Sequence, residues 1–261
     1  MLLPIFIGIL SFTNYQSIND KCLFKPKKQL YRTRFSCDTY KPSKISIPES
    51  LDWREYNLVT PIKNQGDCGS CWTFSAAGAM EGAWAKNTSI LLNLSEQQIL
   101  DCVKKDNGCE GGEMNDAFEY AIENSLCIEA QDPYVAQDEN CIQCKSGIQF
   151  SSCKNIQTNN QLDLKDAVAN FGPVSVAIQA DQSIFRDYRN GIITDKNCGT
   201  NLNHGVLIIG YGEEDNLKYW LVKNSWGTNW GQDGYVKILR SENVNDVGIC
   251  GIAMQPSFPI V

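Results

Sequence analysis

Twelve cysteines in 261 residues constrain this chain more than any other feature. That density is foreign to a reducing cytosol and points to an oxidising compartment with a disulfide framework. The chain also holds a single histidine, His204. Any site that needs two imidazoles is therefore excluded, zincin-type zinc motifs among them. The length suits one large domain or two small lobes, with enough chain to bury a core. An apolar share of 43% and a charged share of 20% are ordinary for a globular protein. The net charge of -7 argues against a nucleic-acid partner, which calls for a basic face.

Composition divides the chain near residue 46. Met1 to Leu10 is an apolar run of signal-peptide length, too short to span a bilayer, and Ser11-Phe12-Thr13 is the best place for a cleavage site. Residues 1–13 are thus expected to be a secretory signal, with no membrane span in the mature chain. Residues 14–46 read as a short basic pro-segment. Lys21, Lys25, Lys27, Lys28, Arg32, Arg34, Lys41 and Lys44 outweigh Asp20 and Asp38, which leaves +6 on residues 1–46 and -13 on the rest. Opposite charges attract the segment to the body, most strongly at low salt. A detachable pro-segment lying on the body and a solvated basic tail both fit this pattern.

Residues 47–261 read as a helical half followed by a strand-rich half. Cys71 to Lys86 is Ala-rich with Trp72, Met80 and Trp84 interspersed, a buried helix that begins near Cys71. Ser95-Glu96-Gln97-Gln98 matches a capping box ahead of Ile99 and Leu100. Met114 to Asn124 and Leu162 to Phe171 are further helices, the latter stopped by Gly172-Pro173. Runs at 174–178, 205–209, 219–222 and 235–239 are short and β-rich between Gly and Asn turns. The pattern predicts an α+β fold whose sheet or partial barrel comes late in the chain.

Chemistry concentrates in Asn64-Gln65-Gly66-Asp67-Cys68-Gly69-Ser70-Cys71-Trp72. Cys68 and Cys71 could form a redox pair, or half of a zinc site with Cys141 and Cys144. Alternatively, Cys71 is a nucleophile and Cys68 is structural. A thiol attacks only as thiolate, and a helix N-terminus together with an imidazolium lowers its pKa. Cys71 opens a helix, and His204, just before a strand, can supply the imidazole. Asn224, in Lys223-Asn224-Ser225-Trp226-Gly227, can orient that ring. A redox reading expects βαβ context around the pair, and a zinc reading leaves His204 and Asn224 idle.

The segment Cys68-Gly69-Ser70-Cys71-Trp72 resembles the active-site signature of the papain/cathepsin family of cysteine peptidases, whose His and Asn follow at about the separations found here. His204 and Asn224 lie 133 and 153 residues beyond Cys71. Further matches are Pro48 to Arg54, Leu94 to Gln97, Leu100-Asp101-Cys102, Gly108 to Gly112 and Cys250 to Ala253. The resemblance covers about 47–261. It implies a two-lobed fold, with a helical left lobe around a central helix, a β-barrel-like right lobe and the active-site cleft between them. It implies Cys71 as nucleophile, His204 as base and then acid, and the two resting as thiolate and imidazolium. Asn224 would orient the ring under the cover of Trp226. Gln65 and the Cys71 backbone N–H would stabilise the oxyanion. Such a chain is a cysteine endopeptidase without metal or cofactor; the redox or zinc protein and a non-catalytic peptide-binding homologue are the alternatives.

By the same resemblance, Gly69, Gly111 and Gly112 approach the substrate backbone, where glycine permits close contact. Met114, Ala177, Leu202 or Asn203, Gly205 and Gln255 would line a pocket for a hydrophobic P2 side chain, Met114 and Ala177 having plain core packing as their other reading. Exopeptidase action through an occluding loop needs histidines the chain lacks. The implied disulfides are Cys68–Cys109, Cys102–Cys141 (with Cys144 a rival for Cys141) and Cys198–Cys250. Cys22–Cys37 and Cys144–Cys153 are the remaining guesses. They leave Cys127 over, so an odd thiol stays free or pairs between chains. Asn87 and Asn93 stand in glycosylation sequons. Residues 14–46 show no motif of the family's longer helical pro-region. Expected partners are protein or peptide substrates, the pro-segment itself and cystatin-like inhibitors, bound by a monomer. The expected destination is the secretory pathway, ending in a lysosome-like vesicle or outside the cell.

Overall fold

The computed structural model describes residues 37–43 and 46–261; the expected signal at 1–13 and most of the basic segment lie outside them. Helix α1 (Cys71–Thr88) runs through the centre. Its Ala76, Ala77, Ala79 and Met80 are fully buried, since small side chains let neighbours close in from both sides. One side packs on helices α2 (Glu96–Cys102) and α3 (Met114–Glu123), the other on the sheet. A Cβ at Gly82 would stand 2.5 Å from the rigid ring of Pro173, so glycine is required there. Helix α2 starts as the capping motif predicts, with Gln98 N–H donating to Ser95 Oγ at 2.9 Å. Helix α4 (Gln161–Phe171) is capped by Asn160 and ends at Gly172; α5 (Ser183–Arg186) is a single turn.

The strands form one continuous sheet. In chain order they are β1 (Asp38–Thr39), β2 (Leu51–Asp52), β3 (Ser152–Asn155), β4 (Val174–Ile178), β5 (Ile192–Ile193), β6 (His204–Glu214), β7 (Leu217–Lys223), β8 (Tyr235–Leu239) and β9 (Ser257–Ile260). Their spatial order is β1-β3-β9-β4-β6-β7-β8-β5, and β2 adds to β6. Strand β4 is buried at every position, which explains why it is apolar but for Ser175 and lacks an exposed polar face. It pairs antiparallel with β6, placing Ile178 opposite His204 and Ala177 opposite Gly205.

Two hydrophobic cores follow. The first, in the helical lobe, gathers Trp72, Met80, Ile99, Phe118, Leu126 and Phe150. The second, in the sheet lobe, gathers Val176, Ile208, Trp220, Val222, Ile238 and Phe258. This is the α+β, two-lobed architecture expected from the sequence. Strands β1, β2, β3, β5 and β9 and helix α5 were not foreseen.

The bridges Cys68–Cys109, Cys102–Cys141 and Cys198–Cys250 are formed as expected. The other guesses are wrong. Cys37 joins Cys153, not Cys22, and Cys144 joins Cys127, not Cys153. The reason is spatial: β1 lies directly beside β3, and this brings together two cysteines 116 residues apart. Nor is a thiol left over, because no cysteine among the described residues is free. Among the described residues no helix is long and apolar enough to cross a membrane, and no cluster of potential metal ligands occurs.

Candidate active site

Cys71 is the first residue of α1, and its side chain is almost wholly buried. Ser70 stands at the N-cap without a side-chain cap bond; its hydroxyl instead meets Tyr134 Oη. The sulfur of Cys71 therefore sits at the positive end of an 18-residue helix. Strand β6 reaches the same point from the sheet lobe. The backbone N–H of Gly205 donates to Cys71 Sγ at 3.3 Å. Any Cβ at Gly205 would lie 3.2 Å from the Cys71 carbonyl oxygen, so glycine lets the strand close on the helix. His204 is the residue just before Gly205 on that strand.

His204 is fully buried. Its Nε2 bonds Asn224 Oδ1 at 2.7 Å. That oxygen also accepts from the Ser225 N–H at 2.8 Å, which fixes it as the acceptor and His204 Nε2 as the donor. Trp226 covers the imidazole with ring centroids 4.8 Å apart. Phe185 on α5 and Trp230 extend this wall, each packing edge-on or tilted against its neighbours. Burial in this apolar shell pushes the imidazole down to about 4, and the bond to Asn224 opposes the shift. Burial thus favours the neutral ring over the imidazolium.

Cys71 is disulfide-bonded; the expected thiolate and imidazolium concern the reduced protein. Cys68 is spent on its bridge to Cys109, and Cys141 and Cys144 on theirs. A Cys68–Cys71 redox pair and a zinc site on these four residues are both excluded.

Gln65 is buried beside the helix start. Its Nε2 donates to Cys68 O at 2.9 Å, and its Oε1 accepts from Ser225 Oγ at 2.8 Å. Its backbone oxygen accepts from Tyr134 Oη at 2.7 Å. Ser225 therefore couples the amide of Gln65 to the loop that carries Asn224. Sequence reasoning missed Ser225, Tyr134, Phe185 and Trp230. Ser225 stood inside the quoted Asn224 segment and could have been found there. The aromatic residues carried no local signal.

The residues expected to border a substrate groove come from both lobes. Gly69 N–H donates to Cys109 O at 2.8 Å, placing that glycine beside Gly111 and Gly112. Gly112 packs so closely on Trp72 that a Cβ would stand 2.6 Å from the indole. Met114 and Ala177 are buried in the helical-lobe core, with Leu202 packed against it. Asn203 is turned inward, its Oδ1 accepting from Ala180 N–H at 2.8 Å. Gln255 does not stand alone: its Nε2 donates to Glu113 Oε2 at 2.8 Å, which sets a carboxylate beside it.

Comparison with known proteins agrees with this geometry. The model of the papain family of cysteine proteases matches residues 47–260. The chain is 44% identical over 227 residues to cathepsin L of Sarcophaga peregrina, covering 84% of this chain and 66% of that one. It is 45% identical over 219 residues to cathepsin K of Mus musculus, covering 82% and 65%. The crystal structure of the proform of the ragweed pollen allergen Amb a 11, a cysteine protease, superposes with a TM-score of 0.80 at 42% identity, covering 84% of this chain and 68% of that one. The chain belongs to the papain family of cysteine proteases. It spans 64–66% of the length of the curated relatives it matches.

Proposed function

We propose that this chain is a cysteine endopeptidase that cleaves peptide bonds through an acyl-enzyme on Cys71. The observation that carries the reading is the contact of Gly205 N–H with Cys71 Sγ, next to a His204 held by Asn224 at 2.7 Å. Nucleophile, base and orienting group thereby converge from two lobes on one point.

Reduction of the Cys71 bridge is the first requirement. The released thiol gives its proton to His204, whose Nδ1 is the ring nitrogen not committed to Asn224. The new thiolate charge and the α1 N-terminus then support an imidazolium that burial alone disfavours. The thiolate attacks the scissile carbonyl. The Cys71 N–H and an N–H of Gln65 stabilise the oxyanion in surroundings that exclude water. His204 protonates the leaving amine and next takes a proton from the water that hydrolyses the thioester. Asn224 keeps the ring in its tautomer, and Trp226 shields that bond.

Apolar Met114 and Ala177 support a hydrophobic P2 side chain, with Gly69, Gly111, Gly112, Asn203, Gly205 and Gln255 bordering the groove. Endopeptidase action fits a chain whose one histidine is committed to the centre. The five described disulfides indicate an oxidising compartment. Passage through the secretory pathway to a lysosome-like vesicle or the exterior is part of this proposal. So are a monomeric state, inhibition by cystatin-like proteins and a pro-segment within 14–46. The test is hydrolysis of dipeptidyl fluorogenic substrates after treatment with a mild thiol reductant. Activity that appears on reduction, is abolished by Cys71→Ala and is blocked by an epoxysuccinyl inhibitor bound to Cys71 supports the reading. Activity retained by Cys71→Ala refutes it.

A further inference from the structure

The segment Cys37–Ser43 falls within the stretch that composition marks as a leader, yet it is built into the body. Strand β1 runs parallel to β3, pairing Asp38 with Lys154 and Thr39 with Asn155. Tyr40 N–H donates to Asn155 O at 2.7 Å, and Asn155 Nδ2 donates back to Cys37 O at 3.2 Å. The Asn155 side-chain oxygen in turn accepts from Asn115 of α3 at 2.8 Å.

Only two residues separate Cys37 from Tyr40, but the two side chains enter different cores. Cys37, bridged to Cys153, is buried in the helical-lobe core. Tyr40 is buried in the sheet-lobe core, edge-on to Phe171 at 5.5 Å and Phe258 at 5.4 Å. Its hydroxyl donates to Asp166 of α4. Asp166 also accepts from Ser43 N–H at 2.9 Å and Ser43 Oγ at 3.1 Å, and Asn170 donates to Ser43 Oγ at 3.0 Å. A carboxylate with three donors from one short segment is a built seat for that segment. Beyond it, Pro48, Glu49 and Ser50 are exposed.

We infer that Cys37–Ser43 is a permanent interlobe clasp, held covalently to one lobe by Cys37–Cys153 and seated in the other by Tyr40 and Asp166. A backbone cut before Leu51 then yields a two-chain molecule in place of a released leader peptide. The clasp ties together the two bodies between which the cleft opens, so it resists their separation. This inference does not depend on peptidase activity.

The test uses the full chain carrying Cys71→Ala, which removes the other bridge and any self-cleavage, with a specific protease recognition sequence inserted between Glu49 and Ser50. After digestion, denaturing electrophoresis without reductant and intact-mass measurement should give one species, heavier by one water, that splits in two on reduction. Adding Cys37→Ser should release the N-terminal fragment without reductant. Release from the parent, or retention in the Cys37→Ser protein, overturns the covalent attachment. In the uncut chain, Cys37→Ala with Cys153→Ala should lower Tm by roughly 10 °C, as expected for opening a loop of this length. An unchanged Tm overturns the clasp.

Discussion

Asn224 Oδ1 accepts from His204 Nε2 at 2.7 Å while also receiving the N–H of Ser225 at 2.8 Å. One side-chain oxygen thus fixes both the rotation of the imidazole and its tautomer. The first consequence concerns rate. Asn224→Ala should leave the fold intact and lower kcat of the reduced enzyme about 100-fold, the usual cost of a reacting group misplaced by about an ångström. KM should change little. Steady-state kinetics on a dipeptidyl substrate measures both, and an unchanged kcat would sink the orienting role.

Gln65 is held from three directions, by Cys68 O, Ser225 Oγ and Tyr134 Oη. Its amide is therefore preorganised beside the helix start. Gln65→Ala should reduce kcat by about 10²–10³-fold with KM nearly constant. An increase confined to KM would place Gln65 in ground-state binding.

His204 has an acid-labile contribution to stability. Its folded pKa, about 4, lies below the ordinary value of 6.5 because the ring is buried. The unfolded chain therefore binds more protons between those values. Stability from the neutral ring is complete above pH 6.5 and is lost as pH falls through 4, by about 3 kcal/mol in all. Melting the oxidised protein from pH 7 to pH 4 should reveal this slope, and His204→Gln should flatten it. Reduction of Cys71 should also lessen it, since a thiolate raises the imidazole. An equal slope in His204→Gln assigns the acid sensitivity to other groups.

Glu96 behaves oppositely. It is fully buried on α2, and burial pushes its carboxyl up to about 8 despite Lys63 Nζ at 2.6 Å. Lys63 is shared with Glu81 at 3.2 Å, so it does not offset both desolvated acids. Glu96 Oε2 has no hydrogen-bond partner and borders a cavity of about 20 Å³ that also touches Lys223, Asn224 and Ser225; that space suits one water. A raised folded pKa gives stability that is complete below the unfolded value of 4.5 and is lost as pH rises through about 8. Glu96→Gln should remove this alkaline decline in a chemical-denaturation series from pH 5 to pH 9. A decline of equal size in the variant would exclude Glu96 as its source.

Where the sequence was legible, the cause was local. Cys71 could be placed at a helix start because an Ala-rich run follows it. Ser95 could be named as a cap from its own four residues, and β4 and β8 were found at their true limits from short β-rich runs between turns. Cys71, His204 and Asn224 were identified from short segments whose residue types suit one chemistry. Tertiary structure alone decided which distant pieces met. The bridges Cys37–Cys153 and Cys127–Cys144 depend on neighbours in space, and no spacing rule selects among the many pairings of twelve cysteines. The two-residue strand at Asp38 has no periodicity to detect; β3 supplies its hydrogen bonds. The low pKa of His204 belongs to the tertiary structure for the same reason. It reflects burial of the ring against Phe185 and Trp226, and burial is a property of the assembled fold.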